Sequence, residues 1–389
     1  MATLSYRTAG ESHGRALIAL VEGMPAGVAI DHDLINAELK RRQGGYGRGG
    51  RQKIEEDKVE FISGVRMGRS IGSPIAMTIA NRDSRLDDPS ATPPLHRPRP
   101  GHADLAGSIK WLTTDCRETL ERASARETAA RVAAGALSRS LLREFGIEVF
   151  GFVRAVGEVT AGVEVASASH AQLKALRDAS DVYCPDEAAS QAFRDFITRM
   201  KQDKDTAGGV VECHVLNCPV GLGSCMTWDG RLDSRIAAAV MAIQAFKGVE
   251  IGLGFETARR PGSQVHDEIA FDPAQAGTPT LGFVRKTNNA GGLEGGMTNG
   301  QPVVVRGAMK PISTLGRPLM SVDLNTKQPS EAGWERSDIS AIAAASVIVE
   351  NVVAFEIARA MIEKFSGDSL TEMRQNYDAY HATARRLPL

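Results

Sequence analysis

Two histidines occupy similar positions in the sequence, each beside glycine in a short polar segment. His13 lies in GESHG at residues 10–14, and His102 follows Gly101 in the segment RPGHAD. Imidazoles titrate near neutral pH, so a pair of them can supply a proton and stabilise a developing anion. A single loop histidine is usually only solvated. The pairing therefore favours a catalytic role for both residues without establishing it.

Arginines surround a glycine-rich segment, RRQGGYGRGGR at residues 41–51. Its glycines spell G-x-G-x-x-G, but they follow a predicted helix instead of a strand, and Arg48 would obstruct a pyrophosphate, so the dinucleotide fingerprint is rejected. The sequence also lacks the G-x-x-x-x-G-K-S/T motif of P-loop nucleotidases. The segment is then a loop whose arginines, Arg42 and Arg48 among them, either bind an anion or form a solvated turn.

A second pair of arginines, Arg122 and Arg126, lies where a helix is predicted to begin. Ser124 and Glu127 have the spacing of a capping box, and apolar residues then recur at helical spacing as far as Phe145. Free backbone N–H groups, the positive end of the helix dipole and two guanidinium groups would meet there. This combination predicts a phosphate site.

Two further segments carry candidate residues. Asp338, two residues after Arg336, is either the N-cap of the last helix or an ionised carboxylate that can relay a proton. Lys310 lies in AMKPIST at residues 308–314, between a predicted strand and a proline-fixed turn whose N–H groups and hydroxyls could hold phosphate.

Apolar residues at alternating spacing predict strands, and those at helical spacing predict helices, and these elements are expected to position the candidate residues. Strands are expected at 16–21, 59–62, 75–79, 147–159, 209–216, 249–254 and 302–306, and helices at 34–41, 124–145, 236–247 and 339–365, the last buried on more than one side. The 168–204 segment is helix-compatible, polar and charged, and we expect a surface excursion without chemistry of its own.

Composition limits the classes of protein. The chain has 389 residues with 46 basic and 47 acidic side chains, so no overall field would attract nucleic acid or an anionic membrane. We find neither an apolar run long enough to span a bilayer nor a signal peptide, and expect a cytoplasmic protein. Five cysteines fit reduced thiols, and the adjacency of Cys213 and His214 argues against a metal site.

Taken in order, several blocks resemble the chorismate synthase family. They are GESHGRALIALVEGMP, RRQGGYGRGGR, RPGHAD, ERASARETAARVAAGAL, QAFKGVEIGLGF, NNAGGLEGGMTNG, MKPIST and RSD. Such a resemblance implies a single α+β domain over residues 1–389, with antiparallel β-sheets sandwiched between α-helices. It also implies anti-1,4-elimination of phosphate and a ring proton from 5-enolpyruvylshikimate 3-phosphate, giving chorismate in the shikimate pathway without net redox change.

The resemblance further implies roles for residues that match the family's motifs. His13 is expected to act on the leaving phosphate, His102 near the flavin, and Asp338 in proton removal. Substrate clamps, which could also meet NADP, are Arg42, Arg48, Arg126 and Arg336. Flavin contacts are Arg122, Ala123, Ser124, Gln244, Ala245, Gly295, Lys310, Pro311, Ile312, Ser313, Thr314 and Arg336.

Cofactor and partner expectations also follow from the family. Reduced FMN is required; its reductant is either NADPH used by this chain or a separate flavin reductase. A homotetramer is expected, with no nucleic acid, membrane or metal. Two rivals remain: a nucleic-acid-binding protein using the basic RGG-like and RPRPGH segments, which lacks aromatic platforms for bases, and a flavin oxidoreductase that consumes NADPH with its substrate.

Overall fold

Antiparallel pairing joins all the strands of the computed structural model, which describes residues 3–50, 54–163, 165, 169–333, 335 and 337–388. The strands are β1 Ser5–Ala9, β2 Ala16–Glu22, β3 Val59–Phe61, β4 Val65–Arg66, β5 Arg69–Ser70, β6 Ile75–Ala80, β7 Glu148–Val156, β8 Val159–Thr160, β9 Gly209–Leu216, β10 Phe246–Ile251, β11 Ile269–Phe271, β12 Phe283–Arg285, β13 Leu293–Glu294, β14 Met297–Thr298, β15 Val303–Met309, β16 Met320–Val322 and β17 Pro329–Glu331. One sheet has the order β1-β2-β6-β3 and a second has β10-β15-β9-β7-β8; the other pairs are short hairpins.

Helices in the described residues begin at recognisable caps where the sequence offers them. They are α1 His32–Gln43, α2 Asp104–Lys110, α3 Arg117–Ala123, α4 Thr128–Arg143, α5 His170–Ala179, α6 Glu187–Gln202, α7 Leu232–Met241, α8 Ile342–Phe365 and α9 Leu370–Ala384. The Asp31 side chain accepts from the N–H of Leu34 and so caps the start of α1. Within the described ranges, no helix has both the length and the apolar character needed to cross a bilayer.

Helices α4 and α8 pack against each other and connect the two large sheets. α4 contacts β2 and β6, whereas α8 contacts β7 and β9. The five-stranded sheet lies between helices, because α8 covers one face and Phe152 on the other face packs with Leu173 of α5. The four-stranded sheet is covered by α4 on one face only, and Ile18 on its other face is 41% exposed. The predicted α+β class is confirmed, with helices on both faces of the larger sheet.

Two predicted helix boundaries are wrong, and both lie at the site described below. Ser124 accepts from Arg126 N in a short 3₁₀ turn, and α4 begins only at Thr128, because Glu127 bonds Arg131 and Gln244 instead of closing a capping box. The predicted helix 236–247 ends at Met241 and a strand follows, since Ala245 adopts a positive φ of 70°.

The 168–204 segment contributes more to the fold than a surface excursion would. It forms α5 and α6, and Phe193 and Ile197 of α6 belong to the main hydrophobic core. Arg177 of α5 is almost fully buried and donates to Glu350 of α8 at 3.0 Å. The sequence did not indicate this role, because only a narrow stripe of α6 is buried.

Glu350 lies at the centre of a buried ionic cluster that connects four helices. Its carboxylate contacts Arg41 of α1 at 3.2 Å, Arg139 of α4 at 2.9 Å and Arg177 at 3.0 Å. Burial alone would raise the pKa of Glu350, but the three guanidinium groups hold it well below its usual range. The cluster fixes α1, and therefore the neighbouring Arg42, relative to α8.

The outer face of the five-stranded sheet carries a second buried charge group. Glu212 of β9 accepts from His214 Nε2 at 2.8 Å and from Arg306 Nε of β15 at 2.7 Å. Burial opposes ionisation, but these two partners lower the pKa of Glu212 to about 2.

The α4–α8 contact is tight enough to predict the effect of one methyl group. A Cβ at Gly135 would lie 2.1 Å from the carbonyl oxygen of Asn351. We expect Gly135→Ala to lower the free energy of unfolding by about 1–3 kcal/mol through overpacking, although Gly→Ala inside a helix normally stabilises. Thermal denaturation tests this, with the exposed Gly277, which has nothing within 4 Å, as the control in Gly277→Ala. An unchanged melting temperature for Gly135→Ala would contradict the packing argument.

The Glu212 group predicts a pH dependence of stability. A carboxylate whose folded pKa is depressed stabilises the fold above its unfolded pKa, and this contribution disappears as pH falls through the folded pKa. Wild-type protein should therefore lose up to about 3 kcal/mol from this group as pH falls from about 4.5 toward 2. Urea unfolding of Glu212→Gln should show a flatter dependence across that window. Parallel curves for the two proteins would exclude the assignment.

Candidate active site

A cavity of about 690 Å³ opens where the start of α4, the N-terminal half of α8 and three loops converge. Its floor is apolar, formed by Ala344, Ala345 and Ile348 of α8 with Met309 of β15. Most of the predicted site residues lie in its lining: His13, His102, Asp338, Arg42, Arg48, Arg126, Ala123, Ser124, Gln244, Ala245, Lys310, Ile312, Ser313 and Thr314. Both histidines therefore face one cavity.

His13 is fixed by a buried carboxylate. Its Nδ1 lies 2.9 Å and 3.0 Å from the two carboxylate oxygens of Glu121, and its backbone N–H donates to the same side chain at 2.9 Å. Asp83 and Arg85 lie near Nε2, at 3.6 Å and 3.5 Å. Burial would raise the pKa of Glu121, but the bonds from His13 and the charge of Arg117 hold it below its usual value.

His102 has a similar arrangement one segment away. Its Nδ1 makes a short hydrogen bond to Asp104, whose carboxylate also accepts from Arg99 Nε at 2.8 Å. Burial disfavours the Asp104 anion, but His102 and Arg99 hold its pKa far below the usual range. Arg99 also donates to the Thr314 hydroxyl at 3.0 Å, so the 98–104 loop is attached to the 310–314 turn.

Two arginines of the cavity share one buried carboxylate. Asp57 accepts from Arg42 Nη2 at 2.9 Å through one oxygen and from Arg126 Nη1 at 2.5 Å through the other. Burial, followed by the repulsion of Arg126, lowers the pKa of Arg42 to about 10, still well above neutral pH. Within the described structure, Nε of Arg42 and Nη2 of Arg126 have no hydrogen-bond partner. The pair thus retains donors for an anion.

Asp338 is held on the same side of the cavity by the glycine-rich loop. Its carboxylate contacts Arg48 Nη1 at 2.8 Å and accepts from the N–H of Gly49 at 2.5 Å. The N-cap interpretation is wrong, because α8 begins only at Ile342 and its N-cap position is Ala341. The alternative of a solvated turn for 43–50 is also excluded for Arg48, whose side chain is only 10% exposed.

Two lysines and one amide also line the cavity, namely Lys247, Lys310 and Gln244. Burial and then the charge of Lys247 lower the pKa of Lys310, so two ammonium groups lie close enough to repel each other. The backbone N–H of Lys310 donates to Ala245 O at 2.9 Å. Gln244 Nε2 donates to Glu127 at 3.0 Å, and Gln244 Oε1 has no partner within the described residues. Bound negative charge would relieve the lysine repulsion.

Three predicted residues that the structure describes are not part of this lining. Arg122 donates instead to the carbonyls of Thr8 and Gly10, at 3.0 Å and 2.9 Å, and thereby supports the loop of His13. Gly295 lies in the β13–β14 turn, and Pro311 belongs to the 310–314 turn without lining the cavity. Arg336 lies outside the described residues.

Sequence reasoning missed three groups that hold these cations and rings. Asp57, Glu121 and Arg99 are buried and bond directly to predicted site residues. Glu121 and Arg99 stand in quoted blocks, but no spacing marked them as partners of the site residues. Asp57 is 15 residues from Arg42 and 69 from Arg126. Only the sheet and helix packing brings them together, so single-sequence periodicity held no signal for them.

This site has the properties of an enzyme that eliminates an anionic leaving group. The guanidinium and ammonium groups of the lining can bind two anionic ligands, and two imidazoles and a carboxylate can transfer protons. The apolar floor of α8 would accept a flat ring system.

Comparisons with known proteins agree with this description. The family model described as chorismate synthase matches residues 4–362. A chorismate synthase of Geobacter metallireducens is 54% identical over 387 residues, covering 97% of this chain and 98% of the relative. One of Pelobacter propionicus is 52% identical over 394 residues, covering 99% and 100%. A solved structure titled "Crystal Structure of Chorismate Synthase" superposes with a TM-score of 0.80 at 40% identity, covering 99% of both chains.

The chain belongs to the chorismate synthase family. It is a carbon–oxygen lyase that removes phosphate and a ring proton from 5-enolpyruvylshikimate 3-phosphate to form chorismate in the shikimate pathway, and the family requires a reduced flavin.

Asp57 provides a prediction about the arginine pair. In Asp57→Asn the two guanidinium groups would lose the carboxylate they share, with Glu55 at 3.6 Å from Arg126 Nη2 as the remaining negative partner, and we expect a loss of roughly 3–5 kcal/mol in stability. Because the pair would then carry more uncompensated positive charge, inorganic phosphate should raise the melting temperature of the variant more than that of wild type. Asp88→Asn, which removes an exposed carboxylate that bonds only within its own turn, is the control. Wild-type stability in Asp57→Asn would contradict the shared-carboxylate account.

Proposed function

We propose that the flavin is FMN and that the cavity holds it next to the substrate, so that both anions share one set of cations. Support comes from the cations that line the cavity. They are the guanidinium groups of Arg42, Arg48 and Arg126 and the ammonium groups of Lys247 and Lys310. The observation that carries the proposal is the placement of His13, His102 and Asp338 in the wall of the same cavity.

The residues present fit such a flavin. Lys310, Ser313 and Thr314 supply donors for a phosphate beside the 310–314 turn, and Ala123 with the α8 floor supplies an apolar surface for the ring system. Gln244 keeps one unpaired amide oxygen in the lining. When bound, the reduced flavin supplies electron density to the departing phosphate and recovers it later in the reaction.

The guanidinium groups would bind the substrate. Arg42 and Arg126, which Asp57 holds side by side, suit the phosphate of the substrate. Arg48, which also lines the cavity, suits a carboxylate of the substrate. Arg336 is proposed for the same set on the basis of its motif. Their charges stabilise negative charge that accumulates on the leaving oxygen as the C–O bond breaks.

Protons move at three side chains. His13, with protons on both ring nitrogens, gives its Nε2 proton to the leaving phosphate, because Nδ1–H is committed to Glu121, and the ring is left in its Nδ1–H form. His102 faces the flavin side of the cavity, where its Nε2 exchanges a proton with the ligands because Nδ1 is bonded to Asp104. Asp338, held in place by Arg48 and the N–H of Gly49, provides the carboxylate that relays the ring proton to solvent.

The glycine-rich loop would close this cavity over its ligands. Gly45 and Gly47 have positive φ angles of 104° and 87°, which glycine adopts without strain. This conformation brings Arg48 and Gly49 onto Asp338. Closure there excludes water from the reduced flavin and strengthens each charge interaction.

Assembly and flavin supply complete the proposal. We propose a cytoplasmic homotetramer, supported by exposed Trp228 and Phe255, which supply apolar surface that subunits could bury. No nucleic acid takes part. The flavin is reduced either by NADPH bound to this chain at its arginine cluster or by a separate flavin reductase; the rejected G-x-G-x-x-G motif favours the reductase.

Anaerobic turnover with photoreduced FMN tests the function. We expect chorismate formation without NADPH, and losses of about 10²-fold or more in His13→Ala, His102→Ala and Asp338→Ala with melting temperatures near wild type. His96→Ala, which changes a half-buried histidine outside the cavity, is the control. Wild-type rates in the three variants would overturn the residue roles.

The reductant and the oxidoreductase alternative are separated in the same assay. Chorismate formed from oxidised FMN and NADPH alone would assign flavin reduction to this chain. Activity only after addition of a flavin reductase would assign it elsewhere. Steady NADPH consumption that depends on the substrate but yields no chorismate would favour a flavin oxidoreductase.

A further inference from the structure

The two cavity histidines share a feature that a third buried histidine does not. His13 and His102 each contact a buried carboxylate through Nδ1, whereas His214, which lies outside the cavity, contacts Glu212 through Nε2. The carboxylates come from different elements, since Glu121 belongs to α3 and Asp104 to α2. The same ring nitrogen is therefore bonded at both cavity positions by unrelated parts of the fold.

Glu121 holds residue 13 at two points. The backbone N–H and the ring Nδ1 of His13 both donate to its carboxylate, at 2.9 Å each, and the side chain of Glu121 is fully buried. A carboxylate accepts hydrogen bonds but offers none when ionised. Nδ1 must then carry the proton of this bond, and Nε2, which Arg85 and Asp83 approach at 3.5 Å and 3.6 Å, is the nitrogen that faces a ligand.

Asp104 imposes the same choice on His102. Arg99 Nη2 also lies near Nδ1, at 3.0 Å, and donates to Asp104 as well. An unprotonated Nδ1 would nevertheless face the Asp104 carboxylate as a second acceptor, and two acceptors in contact repel each other, so the contact requires a proton on Nδ1. Nδ1–H is thus directed to Asp104, and Nε2 is again left for the cavity.

We propose that Glu121 and Asp104 are positioning residues that fix the Nδ1–H form of His13 and His102, so that both rings present Nε2 to the ligands. This inference rests on the proposed roles of the two histidines. Without the carboxylates each ring could turn over or exchange its tautomer, and the wrong nitrogen would meet the ligand in part of the molecules. Removal of a carboxylate behind a histidine that binds a metal costs about 10–100-fold, and we expect a similar loss of kcat here.

Spectroscopy of the ligand-free protein tests the tautomers without turnover. Solid-state ¹⁵N NMR of protein labelled at histidine distinguishes Nδ1–H from Nε2–H, and subtraction of spectra of His13→Ala and His102→Ala assigns the two rings. The expected result is the Nδ1–H form for both rings in wild type at pH 8, and a shift toward a mixture for His13 in Glu121→Gln. A ring with a proton on Nε2 and none on Nδ1 in wild type would overturn the proposal for that ring.

Kinetic cycles then separate positioning from general stability. Glu121→Gln should lower kcat about 10–100-fold with little change in the KM of the substrate, and should have no further effect in a His13→Ala background. The same holds for Asp104→Asn with His102→Ala. Equal losses in the wild-type and alanine backgrounds would show that the carboxylate acts through other contacts, such as Arg99, and would overturn the proposal.

A matched control is available in the five-stranded sheet. Glu212→Gln also breaks a buried carboxylate–imidazole pair, but outside the cavity, so it should alter the signal of His214 and leave kcat unchanged below the melting temperature. Failure of the proposed function is distinguishable, because His13→Ala and His102→Ala would then retain full activity. If those variants are inactive while Glu121→Gln and Asp104→Asn keep wild-type kcat, only the positioning role is wrong. Should Asp104→Asn not fold, the His13 cycle and the wild-type spectrum still decide.

Discussion

Buried cations that keep some donors free for ligands are the constraint on which this structure depends. An unpaired buried charge is costly, yet a cation that is fully paired with protein groups has nothing left for an anion. Asp57 resolves this by giving one oxygen to Arg42 and the other to Arg126, so that each guanidinium group is stabilised and retains unbonded nitrogen. Glu55, whose Oε2 lies 3.6 Å from Arg126 Nη2, adds a second negative charge but takes no hydrogen bond from that nitrogen.

The fold provides what this arrangement needs, namely long elements that bring distant segments to one point. α8 passes between the sheets and forms the cavity floor with its first turns, while its middle carries Glu350, which anchors Arg41 next to Arg42. Close packing of α4 on α8 at Gly135 keeps the start of α4, and with it Arg126, at a fixed distance from that floor. α4 and α8 thus each carry residues that hold the fold together and residues that line the cavity.

Local patterns predicted the elements better than their ends. β2, β6, β9, α1 and α8 follow directly from apolar periodicity and from one cap at Asp31, because those signals are local. The start of α4 and the end of α7 could not be predicted, since Glu127 is recruited by Thr8 and Gln244 from far along the chain, and Ala245 takes a left-handed conformation that alanine rarely adopts.

The candidate site divides in the same way. His13, His102, Arg42 and Arg126 were found because their segments combine glycine or a helix start with polar chemistry, and the family resemblance supplied the roles. The roles of Glu121, Asp104 and Asp57 as buried partners of those residues became visible only in three dimensions.

The central claim is that two anionic ligands share one cavity, and a structure of the protein crystallised with oxidised FMN and 5-enolpyruvylshikimate 3-phosphate tests it most directly. The account predicts the isoalloxazine ring stacked on the substrate ring, with Nε2 of His13 and His102 facing them; two guests in separate pockets would contradict it.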